Sequence, residues 1–148
     1  MTSPDAKCDI LIVGEYFCDL VYHGLDAKPA LGKEAFATGF DQVPGGSFVP
    51  AAALTKLGQD ALWSCGLGTD EYSRFISEAA KTHGIRSDMF TYVDTPLRRV
   101  SSVFSMREDR GFLTFVDGPD PLVNAAAAVA AAPKICLFQG LSTLLPNI

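Results

Sequence analysis

A single aspartate and a pair of glycines are the residues best suited to contact a polar ligand. Asp19 lies five residues after Gly14, which closes the first apolar run. A carboxylate near the carboxyl end of a parallel strand can accept hydrogen bonds from two ligand hydroxyls, and a solvated loop charge is the alternative interpretation. Gly45-Gly46 precedes a predicted helix. Two residues without side chains let a ligand approach the backbone beside the helix N–H groups, and a tight turn is the alternative.

A second glycine motif points to nucleotide chemistry only weakly. Gly66-Leu67-Gly68 follows a predicted strand and precedes a helix, as in dinucleotide phosphate loops. The third glycine of that motif would fall on Glu71, whose carboxylate would oppose a pyrophosphate. The sequence contains no Gly-Lys-Ser/Thr and no second glycine loop of this kind. A dinucleotide-dependent oxidoreductase is therefore disfavoured.

The cysteines and histidines are too dispersed to predict a metal site. No two cysteines have the close spacing of zinc ligands, and only two histidines could complete a set. The residues concerned are Cys8, Cys18, Cys65, Cys136, His23 and His83. Cys65 and Cys136 lie in apolar, strand-like runs, where we expect small core residues. This cysteine usage indicates a reducing compartment, so we expect a cytoplasmic protein.

Composition limits the possible partners. The chain has 148 residues, 48% of them hydrophobic, with 17 acidic and 12 basic residues and a formal net charge of −5. This suits one domain, or a piece of a larger one. No apolar stretch reaches the roughly 18 residues needed to span a bilayer, and charges near the amino terminus argue against a secretory signal. The acidic balance argues against nucleic acid and membrane partners.

The order of predicted elements indicates a parallel α/β core. We predict buried strands at residues 9–14, 61–65 and 135–138, and helices at 50–57, from a cap at Asp70 to 83, and at 124–132. Strands that alternate with helices favour three layers around a parallel sheet.

Less regular β-segments interrupt this pattern. Residues 89–93, 100–106 and 112–116 are predicted strands, and the polar turn at 107–111 makes the last two a hairpin. Residues 20–23 and 33–38 are shorter segments of mixed polarity. These segments predict a small accessory sheet beside the core, in which alternating strands such as 100–106 would leave unpaired edges.

Several of these features share one spacing pattern. A glycine doublet leads to a small residue, a glycine follows seven positions later, and another glycine ten positions after that. In these features the sequence resembles the amino-terminal half of the ribokinase-like (phosphofructokinase-B type) carbohydrate kinases. The residues that carry the resemblance are Gly14-Glu15, Asp19, Gly45-Gly46, Ala51, Leu57-Gly58 and Gly68-Thr69-Asp70. His83-Gly84-Ile85 and Arg110-Gly111-Phe112 also resemble that family.

The resemblance implies a fold, a reaction and a set of binding residues. The fold would be a three-layer α/β domain over residues 1–148, with a β-sheet lid formed by segments near 19–24, 33–39 and 97–117. Asp19 would bind sugar hydroxyls, and Gly45 and Gly46 would let the sugar lie against the backbone. The reaction would be phosphoryl transfer from ATP, with Mg²⁺, to a hydroxyl of a small-molecule sugar. Family members often pair their lids, so the resemblance also implies a homodimer.

Two departures from the family pattern affect these expectations. Val49 occupies the position of a sugar-binding asparagine, so it is a candidate binding position that offers no side-chain hydrogen bond. The Gly-Ala-Gly-Asp motif that carries the family's catalytic base does not occur in these residues. We therefore expect a fragment of a longer domain, without a catalytic residue, without ATP or Mg²⁺ bound to this chain alone, and without kinase turnover. A non-catalytic sugar-binding or dimerisation module is the alternative.

A local group of arginines leaves the substrate class open. Arg98, Arg99, Arg107 and Arg110 lie close together in an acidic chain, which is typical of solvated hairpin charges. If two of them faced the sugar pocket, an acidic or phosphorylated sugar would become plausible. The sequence does not distinguish hexose, pentose, sugar acid and nucleoside.

Overall fold

Two four-stranded sheets carry the fold in the computed structural model, which describes residues 7–106, 109–118 and 125–139. The elements run in this order: β1 (Ile10–Val13), β2 (Tyr16–His23), β3 (Gly39–Gly46), α1 (Phe48–Lys56), β4 (Ala61–Leu67), α2 (Glu71–Thr82), β5 (Phe90–Tyr92), β6 (Arg99–Ser105), β7 (Arg110–Val116), α3 (Ala125–Ala130) and β8 (Ile135–Phe138).

The first sheet is parallel and lies between two helix layers. Its strand order is β5-β4-β1-β8. Because successive side chains of a strand point to opposite faces, Ile12 packs in the cluster that holds α1, α2 and Trp63, whereas Leu11 packs with Leu62 and Ala127 of α3. The predicted three-layer α/β core is therefore confirmed.

The second sheet, which we call the lid, has the strand order β3-β2-β6-β7. β2 pairs antiparallel with β3 and parallel with β6, and β6 and β7 form an antiparallel hairpin. The lid strand that precedes α1 is β3, which spans Gly39–Gly46. The prediction that residues near 33–39 form this part of the lid was therefore wrong. The register that pairs Tyr16 with Gly46 and His23 with Gly39 fixes this strand, and local composition does not encode that pairing.

Two expectations about strand environment were also wrong. Residues 100–106 were expected to leave an unpaired edge, but β6 lies between β2 and β7. β8 was expected to be buried, but Ile135 is 59% exposed and Cys136 is also exposed. In the described part of the chain β8 pairs only with β1, which explains its exposure.

Buried polar contacts join the core to the lid. The Asp70 side chain caps α2 by accepting hydrogen bonds from the Ser73 N–H (2.9 Å) and the Ser73 hydroxyl (2.9 Å), and also accepts one from the Leu97 N–H (2.8 Å), two residues before β6. The Tyr16 hydroxyl donates to the Leu97 carbonyl at 2.6 Å. The predicted cap at Asp70 is thus confirmed, and the same residue holds the lid at its base.

None of the helices in the three described ranges is long and apolar enough to cross a membrane.

Candidate functional site

The structure brings Asp19 and Gly45 together. Asp19 lies on β2 opposite Val43 of β3, and Gly45 is the next residue of β3 on the same face. A Cβ atom on Gly45 would overlap the Asp19 Oδ2 atom. The carboxylate therefore lies directly over a backbone that has no side chain, where β2 and β3 leave the core to form the lid.

Gly46 has a different structural role from Gly45. Its φ is +63°, and a Cβ atom on it would lie 2.7 Å from the Glu15 carbonyl oxygen. That carbonyl accepts a hydrogen bond from the Ser47 N–H at 2.9 Å, which closes the turn into α1. The tight-turn interpretation therefore applies to Gly46, whereas Gly45 makes room for the Asp19 carboxylate.

Burial raises the pKa of Asp19 above its ordinary value. The carboxylate is partly removed from water, and a desolvated anion is less stable than a solvated one. Hydroxyl groups of a ligand that donate to its oxygens would replace the lost hydration. This environment suits the binding of a neutral, hydroxyl-rich molecule.

Val49 lies beside the glycine doublet, in the first turn of α1, and its side chain is 57% exposed. An apolar group therefore occupies the position at which the resemblance implies an amide. The Val49 side chain offers no hydrogen bond.

Sequence reasoning missed two side chains beside the glycine doublet, Ser47 and Gln139. The Ser47 hydroxyl donates to Gln139 Oε1 at 3.0 Å, and Gln139 directly follows β8. The signal that could have found Gln139 was its place at the carboxyl end of a predicted parallel strand, the end at which open α/β sheets bind ligands.

The arginines expected to form a solvated basic patch have separate partners. Arg99 is fully buried, and its Nε lies 2.5 Å from a Glu15 carboxylate oxygen. Arg98 is exposed and pairs with Asp117, at 2.7 Å between Nε and Oδ2. Arg110 is exposed, whereas Arg107 lies outside the described residues. The expectation of a solvated charge was therefore wrong for Arg99, which the lid encloses.

The Gly66–Gly68 loop has no room for a nucleotide phosphate. A Cβ atom on Gly68 would lie 2.5 Å from both the Leu97 nitrogen and the Thr95 carbonyl, so backbone already fills the space that a phosphate would need. The Gly68 N–H donates to the Ser73 hydroxyl at 2.8 Å. Over the described ranges no group of three metal-ligating side chains is assembled.

An aromatic groove lies at the far end of the lid. It has a volume of about 540 Å³ and lies between the strands and residues 25–38, with Tyr22, Phe36, Phe40 and Phe104 in its lining. Neither Asp19 nor Gly45 lines it. This groove is therefore separate from the site at the glycine doublet.

Known proteins resemble the chain in both sequence and fold. No family model matches it. It is 27% identical over 128 residues to the ribokinase of Bacillus subtilis (strain 168), an alignment that covers 86% of this chain and 43% of that protein. The chain thus spans less than half the length of this curated relative.

Solved structures of ribokinases share the fold of this chain. A ribokinase from Cryptococcus neoformans var. grubii serotype A in complex with ADP superposes with a TM-score of 0.69 and 17% identity, over 95% of this chain and 45% of that one. An Arabidopsis thaliana ribokinase complexed with ribose and ATP superposes with a TM-score of 0.63 and 20% identity, over 74% of this chain and 36% of that one. The chain therefore has the ribokinase-like fold, and its resemblance to these carbohydrate kinases is confirmed.

Proposed function

We propose that this chain forms the sugar-binding side and the lid of a carbohydrate kinase that transfers a phosphoryl group from ATP to a sugar hydroxyl. One observation carries the proposal. The Asp19 carboxylate lies over the bare backbone of Gly45 at the base of the lid sheet. The relation to ribokinase supports the reaction class.

In this proposal Asp19 orients the substrate. Its two oxygens accept hydrogen bonds from neighbouring hydroxyls of the sugar, and Gly45, which has no side chain, leaves the carboxylate room to lie against β3. ATP, with Mg²⁺, supplies the phosphoryl group when bound. The share of the described residues is to hold the sugar and to exclude water from one side of it.

We also propose that the protein is a cytoplasmic homodimer that associates through its lid. Phe112, Leu113 and Phe115 of β7 are more than half exposed, a concentration of apolar surface that favours a partner. Sedimentation velocity tests this association, and Leu113→Lys should give a monomer. The control Leu57→Lys, at an exposed position at the end of α1, should leave the dimer intact. A wild-type monomer would contradict the proposal.

Calorimetric titration of the purified protein with D-ribose, D-fructose, a sugar acid and a nucleoside tests the main proposal. We expect saturable binding of at least one of them. Incubation of the 148-residue chain with ATP, Mg²⁺ and that sugar should give no sugar phosphate. If none of the four compounds binds, the proposed function is wrong.

Val49 supports a second candidate, a non-catalytic sugar-binding module, because an apolar residue stands where the resemblance implies a sugar-binding amide. The coding sequence downstream of Ile148 distinguishes the two. A Gly-Ala-Gly-Asp motif there favours the kinase, whereas a stop codon directly after Ile148 favours the module.

A further inference from the structure

The parallel sheet has a topological switch point between β1 and β8. From β1 the chain passes through the lid and α1 to β4 on one side, whereas β8 pairs with the other side of β1. In open α/β sheets, ligands bind in the crevice outside the carboxyl ends of the strands at such a point. Gly14 and Gln139 are the residues that directly follow β1 and β8.

Gln139 is held at this crevice by two hydrogen bonds. Its N–H donates to the Val13 carbonyl at 3.0 Å, and its Oε1 accepts from the Ser47 hydroxyl at 3.0 Å. Ser47 is fully buried, and its side chain makes no capping bond to α1. A Cβ atom on Gly14 would overlap the Ser47 Oγ and lie 3.1 Å from the Gln139 Cβ. Gly14 is therefore the residue that lets Ser47 and Gln139 meet.

This arrangement leaves one end of the amide for a ligand. The serine hydroxyl occupies Oε1, so the two donors of Nε2 are directed away from it. The Gln139 side chain is exposed, and no acceptor for Nε2 lies among the residues that the structure describes.

We propose that Gln139 is a substrate-binding residue whose Nε2 donates a hydrogen bond to an oxygen of the sugar. Asp19 lies over Gly45, and Ser47 holds Gln139 only two residues further on, so a carboxylate acceptor and an amide donor lie on either side of the turn. Gln139 thereby provides the amide that Val49 lacks. This inference rests on the proposed function, and it adds that a sugar hydroxyl or carbonyl oxygen faces β8.

Titration of the purified protein with the sugar that binds best tests the inference. Gln139→Leu retains the bulk of the side chain and removes its donors, so Kd should rise about tenfold. Gln59→Leu, which alters another exposed glutamine, should leave Kd unchanged. Gln139→Leu also leaves the buried Ser47 hydroxyl without its acceptor, so the melting temperature of this variant without sugar should fall by a few degrees, and the titrations are made well below that temperature.

Single-deoxy analogues of the same sugar separate a direct contact from a structural effect. For one analogue, the wild type should lose about tenfold in affinity, and Gln139→Leu should lose nothing further, because the bond is already missing. If Gln139→Leu binds the parent sugar as tightly as the wild type, the inference is wrong and the proposed function stands. If the wild type binds no sugar, both are wrong.

Discussion

At the scale of single residues, the site depends on two adjacent glycines that serve different purposes. Gly45 has an ordinary backbone conformation and makes room for the Asp19 carboxylate, whereas Gly46 has a positive φ and closes the turn onto the Glu15 carbonyl. The same substitution at the two positions should therefore affect different properties.

Gly45→Ala should impair sugar binding and leave stability nearly unchanged, because the Asp19 side chain can rotate away from the new methyl group. We expect Kd for the sugar to rise at least about tenfold. Gly46→Ala should instead lower the free energy of unfolding by roughly 2 kcal/mol through backbone strain. Calorimetric titration and urea denaturation of both variants measure the two effects. Wild-type affinity in Gly45→Ala would show that Asp19 need not lie over that position.

Sugar affinity should depend on the ionisation of Asp19. Because burial raises the pKa of Asp19, its ionised form is lost at a higher pH than that of an exposed carboxylate. Kd should therefore increase as the pH falls through this raised value. Asp19→Asn should show weak binding without that pH dependence.

The raised pKa of Asp19 also predicts that the stability of the protein without sugar changes with pH in the opposite direction to its sugar affinity. The folded chain binds this proton more tightly than the unfolded chain does, so the Asp19 contribution to stability increases as the pH falls. Comparing the pH dependence of urea midpoints for the wild type and Asp19→Asn isolates this contribution. A greater loss of stability on acidification in the wild type would contradict it.

At the scale of elements, α2 and the lid meet at Asp70. Burial alone would raise the pKa of Asp70, but hydrogen bonds from Leu97 and Ser73 outweigh it and hold the pKa below its ordinary value. The Asp70 carboxylate thus caps the first turn of α2 and also binds the N–H of Leu97, two residues before β6.

Asp70→Ala should lower the free energy of unfolding by about 3 kcal/mol, since the cap and the bond to the Leu97 N–H are lost together. Asp94→Ala, at an exposed turn position, should cost no more than about 0.5 kcal/mol. Urea denaturation measures both. Equal effects of the two substitutions would show that Asp70 does not join α2 to the lid.

The sequence predicts elements whose signals are local. The Asp70 cap, the apolar run of β1 and the hairpin of β6 and β7 follow from patterns within a few residues. β3 has no such local signal, because its last three residues are Pro44 and two glycines. It is a strand because it pairs with β2, from which residues 24–38 separate it in the chain. Gln139 has a local signal at the end of a predicted strand, but its contact with Ser47, 92 residues away in the chain, has none.

At the scale of the whole molecule, an ion pair between buried Arg99 and partly buried Glu15 joins the lid to the core. Arg99 opens β6 and is fully buried, and Glu15 lies between β1 and β2. Glu15 also accepts the bond that closes the Gly46 turn through its carbonyl. The lid and the glycine doublet are therefore positioned through the same residue.

Arg99→Met should lower the free energy of unfolding by roughly 2–3 kcal/mol, because the Glu15 carboxylate loses its partner in a partly buried place. Adding Glu15→Gln should recover about 1 kcal/mol of this loss, because the uncompensated charge is removed. Denaturant titration of the wild type, both single variants and the double variant gives the coupling. Strictly additive effects would mean that the pair does not stabilise the lid.

The central claim is that Asp19 and the Gly45 backbone form one sugar-binding hollow, and the affinity of Asp19→Asn measures it most directly. In calorimetric titrations the wild type should bind a sugar, and Asp19→Asn should bind it about 10–100 times more weakly because a charged acceptor becomes neutral. Equal affinity in the two proteins would contradict the claim.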